Sequence, residues 1–123
     1  MKLVRIYQCL CDETRLRILN LVGQRPLCVC HLQEILGRTQ AQVSQHLSRM
    51  KKDGLLEARR HHNWMIYSLP NPVSASLESH LKCLQDCIQS EPVFKQDLAA
   101  LKKLRTDCDW IDEVVRTASS KCC

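Results

Sequence analysis

No apolar run in the 123-residue chain approaches the ~18 residues that a membrane-crossing helix needs. The N-terminal stretch "MKLVRIYQCLCDETRLRIL" breaks its apolar pattern with charge and has no small-residue cleavage site. A soluble, cytoplasmic protein with no membrane partner is therefore expected. No CxxC follows a strand-helix-strand pattern and no glycine-rich cofactor loop is present, so a thiol reductase or nucleotide enzyme lacks its usual footing and the chain is not expected to be an enzyme. There is no internal repeat. The length suits one compact domain that can bury a core without disulfides.

Charge and cysteine are what the chain does have. Lys and Arg number 18 against 13 for Asp and Glu, a net charge of +5 that permits a polyanionic partner. Cysteines stand at positions 9, 11, 28, 30, 83, 87, 108, 122 and 123. An odd count, with helical periodicity and no secretion signal, argues against a disulfide framework and for reduced thiols that meet a metal, a metalloid or redox chemistry. In "RPLCVCHLQEIL", Cys28 and Cys30 fall at the start of an amphipathic helix, where free backbone N–H groups favour thiolate; packing as small apolar side chains is the alternative.

Helical spacing runs through Leu3, Ile6, Tyr7 and Leu10, breaks near "CDE" with Asp12 as a cap, and resumes through Leu16, Ile18, Leu19, Leu21 and Val22. Gly23 and Pro26 are expected to end that second helix. Leu27, Val29, Leu32, Ile35 and Leu36 predict a short third helix stopped by Gly37, and Thr39 caps a fourth that turns Val43, Leu47 and Met50 inward and stops at Gly54. Two short helices joined by "GRT" make a helix-turn-helix. The period then changes: Leu56, Ala58, Trp64 and Ile66 alternate about "HHN", where Asn63 tolerates a left-handed backbone, which predicts a β-hairpin wing.

After "PNPVS", Leu77, Leu81, Leu84 and Ile88 repeat as one apolar stripe, which a small chain hides most simply in a homodimer. Past Pro92 a further helix fades into a polar tail, with Cys108 on a helix face beside Trp110, Ile111 and Val114. The expected fold is thus mainly α with a β-hairpin wing, a winged helix-turn-helix dimerised through its N- and C-terminal helices. Residues 1–90 form the DNA-binding and dimerisation domain and 91–123 a helical extension with a cysteine-bearing tail.

The fourth helix offers Gln40, Gln42, Ser44, Gln45 and His46 near its N-terminal end, residue types that pair with base edges. Arg38, Arg49, Lys51 and Lys52, with Arg59, Arg60, His61 and His62 of the hairpin, supply positive charge for phosphates. A solvated polar helix beside a solvated hairpin is the plainer reading of either part; the order helix, turn, helix, basic wing and dimer helix favours double-stranded DNA.

Together "CDETRLRILNLV", "LCVCHLQEIL" and "TQAQVSQHLSRMKKDGLLEARRHHNWMIYSL" resemble the ArsR/SmtB family of metal- and metalloid-responsive repressors, over roughly residues 5–90. The resemblance implies a homodimer that represses an operon until an ion binds. The family's "SQ-x-x-VS-x-HL" pattern falls on Thr39, Gln40, Val43, Ser44, His46 and Leu47, with Gln45 where many relatives carry Arg. "LCVCHL" is similar to the arsenic- and antimony-sensing "ELCVCDL", which makes Cys28 and Cys30 ligands of trivalent arsenic or antimony. Such ions are soft and take three sulfurs.

Two departures stand out: the third cysteine of that motif is here Gln33, and its Asp is His31. A third sulfur is then expected from Cys122 and Cys123 on the tail, or secondarily from Cys9 and Cys11, since related cadmium and lead sensors draw on N-terminal thiols of the partner chain. The same fold sensing cadmium, lead or mercury, or acting as a dithiol redox switch, is the alternative. Cys83 and Cys87, with His80, share one helix face and are expected to pack beside the dimer stripe. Glu78 and His80 supply only half of the family's zinc motif.

Overall fold

The computed structural model describes residues 1–87 and 90–104. In chain order it has α1 (Lys2–Leu10), α2 (Glu13–Gln24), β1 (Leu27–Cys28), α3 (Val29–Leu36), α4 (Gln40–Lys52), β2 (Glu57–His61), β3 (Trp64–Ser68), α5 (Ala75–Cys87) and α6 (Pro92–Leu104). The expected winged helix, mainly α with a hairpin, is what forms. Its tail, with Cys108, Trp110, Ile111, Val114, Cys122 and Cys123, lies outside the described residues.

Helix boundaries follow local chemistry where the expectation held. Asp12 is extended and its carboxylate accepts the Arg15 N–H at 3.0 Å, so α2 starts on a capped end. Gly37, at φ +65°, closes α3 by donating its N–H to the Gln33 carbonyl at 2.9 Å, a backbone that a glycine adopts without penalty. Pro92 opens α6, where its missing N–H costs nothing.

Three expectations need correction. Gly23 does not end α2, which runs on to Gln24; a Cβ there would lie 3.2 Å from Leu81 Cδ2, so the glycine lets α5 approach. Leu27 does not open α3 but, with Cys28, forms a strand antiparallel to β3, paired Leu27 to Tyr67 and Cys28 to Ile66. In the hairpin, His61 pairs with Trp64, leaving His62 and Asn63 as the turn, and the left-handed residue is His62 at φ +53° rather than Asn63. A two-residue turn with positive φ at its first position suits the twist of the flanking strands.

The sheet order is β1-β3-β2, and its inner face closes on a core that includes Ile18, Leu19, Leu32, Leu47, Met50 and Leu55. The α5 stripe is largely covered within the chain: Leu77 and Leu84 are buried, Leu81 sits against Gly23, and Ile88 falls outside the described residues. Among the described residues, the large apolar side chains left exposed are instead Met1, Leu3, Val4 and Tyr7 near and on α1, and Trp64 and Met65 on the wing. Helix α6 lies on α2 and α3, fastened by the Arg17 guanidinium, which donates to both Asp97 oxygens at 2.8 Å.

Candidate thiol site and nucleic-acid interface

A capping box positions the start of α4. The Thr39 hydroxyl accepts the Gln42 N–H at 3.2 Å, and the Gln42 side-chain oxygen accepts the Thr39 N–H at 3.1 Å. The Gln42 oxygen, expected to face a base, is thus engaged in the cap. Arg38, Gln40 and Gln45 are exposed, Ser44 and His46 half-buried. His46 is braced from behind: its Nδ1 lies 3.3 Å from Arg15 Nη1, while Arg15 Nε donates to the Cys9 carbonyl. Arg49 pairs with Asp53 at 2.9 Å, and Lys51 and Lys52 are exposed in the last turn.

On the wing, Arg60 is exposed and donates to the His62 carbonyl at 3.3 Å, and the His61 and His62 rings meet edge to face with centroids 4.3 Å apart. Arg59 faces away from Arg60, half-buried along a shallow cleft that Arg25 and Pro26 also line.

The thiol site is built at the junction of strand and helix. Cys28 ends β1 and is also the residue that caps α3, while Cys30 and His31 occupy that helix's first turn. Their donor atoms converge. Cys28 Sγ lies 2.9 Å from Cys30 Sγ and 3.0 Å from His31 Nδ1, and all three ligand atoms lie within 4.8 Å of one another. Cys28 is buried, His31 half-buried and Cys30 exposed, so the cluster opens outward through Cys30.

The expectation that the helix start favours thiolate fails at Cys28. Burial, reinforced by the hydrogen bond to Cys30, pushes its thiol up to about 12, because desolvation outweighs the helix end's pull on negative charge. His31 is the residue that sequence reading passed over as a mere departure from a motif. Its signal was the i, i+3 spacing from Cys28, which brings a ring nitrogen back over the helix start.

The other described thiols lie away from this cluster. Among the described residues, no cluster of three or more donors other than Cys28, Cys30 and His31 occurs, so Cys9 and Cys11 do not complete this site within one chain. Cys9 is fully buried, its thiol pushed up to about 11 by burial and then by the charge of Asp53, while Cys11 is exposed. Cys83 is exposed and Cys87 half-buried in the single chain.

Residues 12–58, from the cap of α2 into the wing, match the arsR family of bacterial regulatory proteins. The chain is also 32% identical over 92 residues to the arsenical resistance operon repressor of Escherichia coli, covering 71% of this chain and 79% of that one. The chain belongs to the ArsR family. A second ArsR relative, the arsenic resistance transcriptional regulator ArsR1 of Pseudomonas putida, is 34% identical over 85 residues, 68% of this chain and 66% of its own length. Among solved structures, reduced HlyU from Vibrio cholerae superposes with a TM-score of 0.63 at 28% identity, covering 69% of this chain and 86% of that one. ArsR-family proteins are DNA-binding transcription regulators, and the winged helix seen here carries that role. Among the described residues no helix is long and apolar enough to cross a membrane.

Proposed function

We propose that this chain is a repressor that binds double-stranded operator DNA as a homodimer and leaves it when Cys28 and Cys30 take up trivalent arsenic or antimony. The observation that carries the reading is the position of Cys28. It pairs with Ile66 of the wing, caps the first helix of the helix-turn-helix, and holds its sulfur against Cys30 and His31. A ligand that redirects these sulfurs acts where the wing meets α3, the helix packed against the reading helix α4. Such an inducer must bind the DNA-free form better, and a coupling of ~1–3 kcal/mol lowers operator affinity about five- to 150-fold. Thiolates suit a soft ion, and a third sulfur comes from Cys122 or Cys123, or from Cys9 or Cys11 of the partner subunit. His31 favours a second reading, a divalent soft metal such as cadmium held by two sulfurs and a nitrogen.

Fluorescence anisotropy on operator DNA under reducing conditions tests this. The variant Cys28→Ser with Cys30→Ser is expected to dimerise and bind operator but no longer to release it with arsenite; normal release would end the proposal. Release by cadmium and not by arsenite selects the second reading. On the DNA side, Ser44 and His46 read bases while Arg60 holds phosphate. Ser44→Ala should therefore weaken operator binding more than random DNA, and Arg60→Ala both alike. Equal losses for both variants on both DNAs would remove α4 as the reading helix.

A further inference from the structure

A histidine that reads a base offers one sign of hydrogen bond, set by whatever holds its other ring nitrogen. In this chain the holder is Arg15. Its backbone N–H is taken by the Asp12 cap at 3.0 Å, and its Nε donates to the carbonyl of Cys9 in the last turn of α1, so the side chain is fixed at both ends independently of α4. Nη1 then lies 3.3 Å from Nδ1 of His46. Val43 and Leu47 are buried and seat α4 so that the half-buried His46 ring meets α2.

A guanidinium has N–H donors and no acceptor. Nδ1 must therefore present its lone pair, because the opposite tautomer would set N–H against N–H. The one ring proton of the neutral imidazole is left on Nε2. Ser44, the other side chain given to base reading, carries a hydroxyl that can donate or accept. Of the two, His46 alone has its sign fixed inside the chain. Given the base reading by α4 on which this rests, we propose that Arg15 is a positioning residue for sequence recognition: it locks His46 in the Nε2–H form, a donor, and so makes the protein select guanine over cytosine at one position of each half-site.

The groove's own chemistry supplies the base. In the major groove guanine shows two adjacent acceptors, N7 and O6, whereas cytosine shows only its N4 donor. Adenine sets an N7 acceptor beside an N6 donor, and thymine an O4 beside a methyl group, so both fall between. An unbraced imidazole can move its proton to Nδ1 and accept from cytosine. Arg15 removes that freedom, and cytosine then strands two donors face to face.

The test uses the full chain and an operator that it selects from random-sequence duplex DNA. Long-range 1H–15N correlation at about pH 8.5, where imidazole is neutral, is expected to show His46, assigned by its loss in His46→Gln, with Nε2 protonated and Nδ1 bare, free and on DNA. Each operator position is varied through the four base pairs, with affinities read by anisotropy at one salt concentration. One position per half-site should prefer guanine over cytosine about five- to 150-fold, and His46→Ala should level it. Arg15→Met, checked for helicity and dimer state, should cut that preference at least about threefold, and on the cytosine operator its His46 proton should move to Nδ1. Arg15→Lys, which keeps a donor and gains no acceptor, should retain both readouts. A merely structural Arg15 would lower the urea midpoint of Arg15→Met and move neither. An Nδ1–H form in the unaltered chain, a His46-dependent preference for cytosine, or a tautomer and preference that ignore Arg15→Met would overturn the proposal and leave base reading by His46 standing. A base profile unchanged by His46→Ala would remove both. Should Arg15→Met not fold, the tautomer and guanine preference of the unaltered chain and of Arg15→Lys still decide.

Discussion

Cys28 is a sulfur that the fold keeps as a thiol. Its folded value of about 12 lies above its ordinary 9.0, so the proton stays on throughout the neutral range and leaves only in strong alkali. That sign decides how each inducer responds to pH. Arsenous acid is neutral and its hydroxide departs with the thiol proton as water, so uptake at Cys28 releases no proton to solvent. A divalent cation has no hydroxide to give and must expel the proton, so its affinity rises about tenfold per pH unit for each thiol proton displaced. Between about pH 6 and 8, arsenite affinity is therefore expected to stay nearly flat while cadmium affinity climbs. Isothermal titration in two buffers of different ionisation enthalpy measures the protons directly; proton release on arsenite uptake would contradict the assignment of Cys28 as a thiol. At this scale the sequence showed the two sulfurs, because a CxC is local, and missed His31, because its value lies in where one helical turn aims a ring.

Among the elements, α4 was the most legible. A side-chain cap at Thr39, inward residues at helical steps and Gly54 at φ +80° beyond its end are all carried by neighbours in sequence. Thr39→Ala removes the hydroxyl that accepts the Gln42 N–H and frees the Gln42 side chain from its reciprocal bond. The expected loss is about 1 kcal/mol of stability, read from the urea midpoint, and Thr39→Ser should recover most of it. Equal midpoints for Thr39→Ala and the parent would show that the cap contributes nothing. The elements that sequence reading got wrong depend on distant partners. β1 is two residues long, too short to show a period, and exists because β3 pairs with it. Gly23 looked like a stop because a glycine's local meaning is to break a helix, whereas here Leu81 of α5 explains it. His62, not Asn63, takes the positive φ because the strand register fixes which residue comes first in the turn.

For the molecule as a whole, the packing that local patterns could not reveal is that of α6, which lies on α2 and α3 and so backs the helix that bears the thiols. Burial of Phe94 and Leu101 supplies the apolar part of that contact, and the Arg17–Asp97 pair fixes its register with two parallel bonds of 2.8 Å. The Asp97 side chain is 4% exposed and that of Arg17 15%, so neither charge is well served by water if its partner is lost. A guanidinium keeps its proton in proteins whatever its neighbours, so Arg17 cannot escape by neutralising when Asp97 is removed. Asp97→Ala should then leave a charge stranded between helices and cost about 3 kcal/mol, the low end for buried pairs because Arg17 keeps some contact with solvent. Replacing both at once, Arg17→Met with Asp97→Leu, should restore much of that stability, since a buried pair is often matched by apolar side chains of similar volume. Because α6 packs chiefly on α2 and α3, operator affinity measured well below the unfolding midpoint should stay near that of the parent while the midpoint itself falls. A double variant no more stable than Asp97→Ala alone would mean that the ion pair is needed for its own sake, to hold α6 in one register.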